Sequence, residues 1–138
     1  MKIYFACSIT GGRTDQDIYA LMVDAMLADG HDVPTAILAR SEATILEAIL
    51  SSEEVYQRDT NWIEESDALV AEVSTPSHGV GYEIAYALGL EKNVLCCYRD
   101  GTPISKMISG NPDPNLILRS YSTQDEAVQL VRDFLQQV

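Results

Sequence analysis

Apolar positions along the chain switch repeatedly between two periods, and each switch marks the border of a predicted element. Lys2–Ala6 reads as a short apolar strand. After it, Ile18, Leu21, Met22, Ala25 and Met26 fall at helical spacing, with Thr14 or Asp15 as cap and Gly30 as stop. A weaker strand is expected at His31–Thr35, and Ala36–Leu50 reads as mixed loop and helix without fixed boundaries. Ser51-Ser52-Glu53-Glu54 opens a helix that runs to Ser66, with Val55, Trp62 and Ile63 on its inner side. Ala68–Val73 suits a strand covered on both faces and is stopped by Ser74-Thr75-Pro76-Ser77. From Gly79 the period is helical again through Val80, Ile84, Ala87 and Leu88, ending near Gly89. Strands at Asn93–Tyr98 and Asn115–Leu118, a short helix over Ile104–Ile108 and an amphipathic helix over Thr123–Gln137 complete the pattern.

Alternating strands and helices predict an α/β fold of the flavodoxin-like, Rossmann-like kind: a three-layer sandwich, one domain over residues 1–138, with a five-stranded parallel sheet of order 2-1-3-4-5. In that order the first and third strands are neighbours, and the ligand crevice lies outside their carboxyl ends. The loops expected there are Cys7–Arg13 and Ser74–Glu83, with Arg99–Pro103 alongside. The first two each carry a serine and paired glycines before a helix, a composition suited to an anion. Glu83, placed in or near the first turn of its helix, is expected to stay ionised against the positive helix end, and an ionised carboxylate there is a candidate nucleophile. Any Glu also favours a helix start, so the position alone does not assign the role. His78 stands in the same loop as a possible donor, and His31 is expected to be structural or solvent-facing.

A formal net charge of −12, spread along the chain, disfavours polymeric nucleic acid and anionic lipid, although local donors still suit a small phosphate ester. No apolar run approaches about 18 residues and no basic leader is seen, so a soluble cytoplasmic protein without membrane contact is expected. Cys7, Cys96 and Cys97 fit a reducing compartment and lack metal spacing. Neither a GxGxxG fingerprint nor a phosphate-binding GxxxxGKS/T loop occurs, so no cofactor and no metal are expected.

Three stretches carry a family likeness: KIYFACSITGG at 2–12, RDTNWIEESDALVAEVSTPSHGVGYEIAYALGLEKNVLCCYR at 58–99, and ISKMISG at 104–110. They closely resemble the 2′-deoxynucleoside 5′-phosphate N-hydrolases, within the nucleoside 2-deoxyribosyltransferase superfamily. The resemblance implies hydrolysis of the N-glycosidic bond of a deoxynucleoside monophosphate to free base and 2-deoxyribose 5-phosphate, through a covalent intermediate on Glu83. Asp59 then corresponds to the active-site aspartate and Tyr4 to the tyrosine near the nucleophile. The substrate contacts it implies are Cys7, Ser8, Ile9, Thr10, Gly11, Gly12 and Arg13 of the first loop, Asn61, then Ser77, Gly79 and Gly81, and finally Ser105 and Met107. A homodimer is implied as well, with Ser105 contributed across the interface. Cys7 stands where the family often has glycine and Thr10 where it often has arginine.

Two carboxylates in opposed environments suit retaining glycosidase chemistry, with Glu83 charged and Asp59 raised in pKa beside Trp62. The related transferases carry an aspartate six residues before the nucleophile, where this chain has Ser77, a residue better suited to a phosphate. A base-exchanging transferase and a nucleotide-binding sensor without turnover are the alternatives.

Overall fold

The computed structural model describes residues 1–9 and 15–138. Four parallel strands, β1 (Ile3–Ala6), β2 (Ala68–Glu72), β3 (Asn93–Arg99) and β4 (Leu116–Tyr121), form one sheet in that spatial order. Register pairs Tyr4 with Leu69, Leu69 with Val94, and Val94 with Leu116. Side chains alternate across a strand. Ile3, Phe5, Ala68, Val70, Leu95 and Cys97 therefore pack with α1 (Gln16–Ala28) and α6 (Gln124–Leu135) on one face. Tyr4, Ala6, Leu69, Ala71, Val94 and Cys96 pack on the other face with α3 (Ser52–Glu65) and α4 (His78–Gly89). Two short helices, α2 (Ala43–Ile49) and α5 (Lys106–Ser109), sit outside this frame, and a 3₁₀ turn spans Ala36–Ala39. Among the described residues no helix is long and apolar enough to cross a membrane.

The helix boundaries follow their caps. Ser51 accepts from the Glu54 amide at 3.2 Å while Glu54 accepts from the Ser51 amide at 2.8 Å, a reciprocal box that starts α3. Thr123 and Glu126 do the same for α6. Ser77 caps α4, its hydroxyl accepting from the Val80 amide at 3.4 Å. Asp15 stands at the cap of α1 but makes no side-chain cap bond, because its carboxylate is committed elsewhere.

Among the described residues the expected five strands are four. His31–Thr35 forms only one isolated parallel bridge, between Asp32 and Lys2. It lies beside β1, where the second strand of the order 2-1-3-4-5 belongs. The Asp32 amide donates to the Met1 carbonyl at 2.9 Å and the Ile3 amide to the Asp32 carbonyl at 2.7 Å. A parallel ladder next requires a donor from residue 34, which is proline and has none, so pairing stops. The Phe5 amide on this edge is met instead by the Thr35 hydroxyl oxygen at 2.9 Å.

Thr35 is fully buried, so that bond has no water to replace it. Thr35→Val keeps the shape but leaves the Phe5 amide unpaired, and should lower unfolding free energy by about 1–3 kcal/mol in urea titrations. An unchanged midpoint would mean that the edge of β1 finds another acceptor.

Candidate active site

Tyr4 is the second residue of β1 and points into the layer that holds α4. Its hydroxyl donates to Glu83 Oε1 at 2.7 Å. With the ring 1% exposed, that bond fixes the carboxyl against the sheet. Burial, then the neighbouring Glu83 and Asp59 charges, raises the phenol, which keeps it a hydrogen donor.

The helix-dipole expectation for Glu83 does not hold. Because α4 begins at His78, Glu83 is its sixth residue, beyond the first turn where the dipole acts. The residue as a whole is half-buried, yet loss of water around its carboxyl outweighs every other influence. Burial pushes the Glu83 carboxyl up to about 8; the Tyr4 bond opposes this, Asp59 and Glu47 add to it, and Arg58 opposes it. Withdrawal from water thus favours the protonated form of the Glu83 carboxyl.

Asp59 comes from α3, one turn before Ile63, and shares a cleft of about 390 Å³ with Glu83. Glu47 of α2, Gly79, and the half-exposed rings of Tyr56 and Tyr82 also line it. Burial raises the Asp59 carboxyl, as expected, while its bond to Arg58 works in the other direction. Arg58 Nε donates to Asp59 Oδ1 at 2.8 Å and Nη2 to Glu47 Oε1 at 2.7 Å. The guanidinium lies 5.1 Å from the centre of the Trp62 ring. Asn61 is not brought to this cleft. Two positions on from Asp59, it faces away on the same helix, is exposed, and accepts from Gln57 at 2.8 Å.

On the opposite side of α4 a second cleft, of about 470 Å³, is lined by Ser77, His78, Gly81, Ser105 and Met107. Ser77 and Ser105 thus line one cleft of a single chain. Ser105 caps α5 by accepting from the Met107 amide at 3.3 Å, and Met107 is 84% exposed. A Cβ at Gly79 would meet only the Ser77 hydroxyl at 3.9 Å, and one at Gly81 nothing within 4 Å. Neither glycine is required by packing, and their bareness leaves the start of α4 open.

Of the first loop, Cys7 and Ser8 are buried and Ile9 is half-buried. The Cys7 thiol contacts the Leu38 carbonyl at 3.7 Å. Thr10, Gly11, Gly12 and Arg13 lie outside the described residues. Beyond them, Asp15 accepts from Thr75 at 3.0 Å and pairs with Arg99, tying the end of the first loop to the other two. Fully buried Glu72 accepts from the Tyr121 hydroxyl at 2.9 Å, the Ser74 amide at 3.3 Å and the Ser74 hydroxyl. That hydroxyl in turn accepts from the Arg99 amide at 2.7 Å. Periodicity gave no sign of these partners, nor of Glu47, which lies in the stretch without a clear pattern. Arg58 was visible only as the neighbour of Asp59.

The architecture is an α/β fold already known from solved structures. The CMP N-glycosidase BcmB of Clostridium botulinum superposes with a TM-score of 0.75 over 97% of this chain and 99% of that one, a likeness of fold at 17% identity. The chain belongs to the nucleoside 2-deoxyribosyltransferase family, whose profile matches residues 3–129. It is 37% identical over 134 residues to a provisionally named 2′-deoxynucleoside 5′-phosphate N-hydrolase 1 of Methanosarcina mazei, covering 97% of this chain and 83% of that protein. It is 41% identical over 140 residues to the 5-hydroxymethyl-dUMP N-hydrolase of Tetraodon nigroviridis, covering 97% and 96%.

A carboxyl raised in the folded state binds more protons there than in the unfolded chain, so its contribution to stability falls as pH rises from about 4.3 through its folded value. Glu83→Gln removes that loss. Relative to wild type, the variant should gain about 2 kcal/mol or more between pH 4 and pH 9. Urea unfolding at the two pH values checks this; a difference independent of pH would show that the carboxyl ionises freely.

Proposed function

We propose that this chain, acting as a single domain in the cytoplasm, hydrolyses the N-glycosidic bond of 2′-deoxynucleoside 5′-monophosphates, releasing free base and 2-deoxyribose 5-phosphate. The observation that carries this reading is the Tyr4-held carboxyl of Glu83 sharing one cleft with Asp59. The names of the 37% and 41% identical relatives support the reaction class. The net acidity and three free cysteines favour a small substrate in a reducing compartment.

In the proposed reaction, Glu83 attacks the anomeric carbon as the bond to the base breaks. The departing electron pair stays with the base, which takes a proton from Asp59. Asp59, now ionised, draws a proton from water, whose oxygen displaces the Glu83 ester and leaves both carboxyls as they began. One proton shared by the two groups is enough for a turnover. Burial of the Glu83 carboxyl favours the proton there, and the first step requires it on Asp59. Tyr4 holds one Glu83 oxygen throughout.

Ser77, the open start of α4 and the first loop are proposed to take the phosphate. The runner-up, base exchange between free nucleosides, needs a 5′-hydroxyl acceptor where Ser77 stands; a sensor without turnover would not need two carboxyls in one cleft. A second copy of the chain is proposed to form a homodimer over the exposed Ser105–Met107 face, with Ser105 acting in the neighbouring site.

Release of free base from deoxynucleoside monophosphates, measured by chromatography, tests the activity. Glu83→Gln should abolish turnover while nucleotide binding persists, and Asp59→Asn should lower kcat by roughly 10²-fold or more. A Glu83→Gln protein that turns over near normally would end this mechanism. Ser77→Asp should lower kcat/KM on the monophosphate by about a thousandfold, since two charges about 4 Å apart repel by roughly 4 kcal/mol at an effective dielectric near 20. Activity on the matching nucleoside should fall far less. An unchanged ratio would place the phosphate elsewhere. Mixed Ser105→Ala and Glu83→Gln subunits should exceed the sum of the separate variants if Ser105 acts in the partner; no recovery after verified exchange would put it in its own chain's site.

A further inference from the structure

We infer that Arg58 and Glu47 form a positioning pair that sets the protonation of the Asp59–Glu83 carboxyl pair. Arg58 holds Asp59 directly, and Glu47 anchors and partly neutralises Arg58. The inference rests on the proposed reaction for its consequence, but not for its geometry.

Each of the two carboxyls has one oxygen tied and one left for substrate or proton. Glu83 Oε1 takes the Tyr4 hydroxyl and Asp59 Oδ1 takes Arg58 Nε; Oε2 and Oδ2 have no hydrogen-bond donor among the described residues. The tie on Glu83 is neutral, whereas the tie on Asp59 is charged and cannot be lost by titration. Arg58 is held on several sides: Nε by Asp59, Nη2 by Glu47, and its face by Trp62. The Arg58, Asp59 and Glu47 side chains are only 15%, 16% and 18% exposed, so their mutual field is weakly screened by water. Nη1 is buried with no hydrogen-bond partner among the described residues.

The charged and titratable groups around the pair are Tyr4 from β1, Glu47 from α2, Arg58 and Tyr56 from α3, and Tyr82 from α4. Arg58 lowers both carboxyls and Glu47 raises both, so the two members push in opposite directions. If the reactive form carries one proton between Asp59 and Glu83, the pH profile of kcat/KM is a bell whose limbs are the two apparent pKa values of that pair. A residue that merely tied α2 to α3 would change the height of the bell, or the stability, without moving its limbs.

Arg58→Gln should shift both limbs upward, by about one pH unit or more for loss of an adjacent opposite charge. Glu47→Gln should shift both downward, and the double variant should return them towards wild type. Arg58→Lys keeps the charge but not the fork, so its limbs should stay near wild type while kcat falls. Limbs that stay put in both Gln variants, or that move equally in Lys and Gln, would overturn the inference. A parallel reading needs no turnover. In ligand-free protein, ¹³C-carboxyl titrations of Asp59 and Glu83, assigned with Asp59→Asn and Glu83→Gln, should show the same opposed shifts. Unmoved titrations would overturn the pair. A wild-type protein that releases no base from any deoxynucleotide would overturn the reaction instead, leaving the titrations as the test of Arg58 and Glu47. Should Arg58→Gln fail to fold, Glu47→Gln and Arg58→Lys carry the same test.

Discussion

The hydrogen bond from Tyr4 to Glu83 places an acid within reach of a sheet interior, and the surrounding layer is arranged around that need. A carboxyl withdrawn from water requires either a donor or a proton, and Glu83 has the phenol of Tyr4 on one oxygen and a raised pKa that favours the proton. The bond spans the interface between β1 and α4, so the position of the candidate nucleophile is set by strand pairing and helix packing together. Tyr4 pairs in register with Leu69, and Val80, Ile84 and Ala87 seat α4 on the same face. The Glu83 side chain then has little freedom to lose when a substrate arrives.

Around this centre the loops are tied to one another rather than to solvent. Asp15 joins the end of the first loop to Thr75 and Arg99, and Glu72 gathers Ser74 and Tyr121 from two further elements. Buried carboxylates met by several donors hold backbone in place more firmly than exposed ones, because losing any donor leaves charge in a poor solvent. Ser77, three residues beyond Ser74, inherits that order. The two clefts on either side of α4 therefore share a rigid wall, one presenting carboxyls and the other serine hydroxyls and a helix start.

The acidity of the chain fits this division. Carboxyls dominate the cleft proposed for the sugar and base, where Arg58 is the fixed cation in contact with them. At the start of α4 the proposed phosphate site offers neutral donors. A net charge of −12 then disfavours polyanions at long range, whereas a small ester meets local donors at short range.

Much of this was legible in the order of residues. Period-two and period-3.6 patterns located β1, β2, β3, α1, α3, α4 and α6 because one-sided burial imposes those periods on any chain. Motif likeness singled out Tyr4, Asp59 and Glu83, and the tertiary structure brings these three together. It did not bring Asn61, since two steps along a helix turn a side chain to the far face. Local signals also misjudged the His31–Thr35 strand, where Pro34 removes the donor that would continue the ladder, and the charge of Glu83, where burial outweighs a helix end one turn away. The partners of the carboxyls were beyond reach of the sequence: Glu47 meets Arg58 across 11 positions, Asp15 meets Arg99 across 84, and Tyr4 meets Glu83 across 79. Sequence by itself determined most of the strands and helices and singled out the residues proposed to carry the chemistry. Only the tertiary structure decided their protonation and company, because desolvation and charge pairing depend on the groups packed nearby in space and not on the neighbours along the chain.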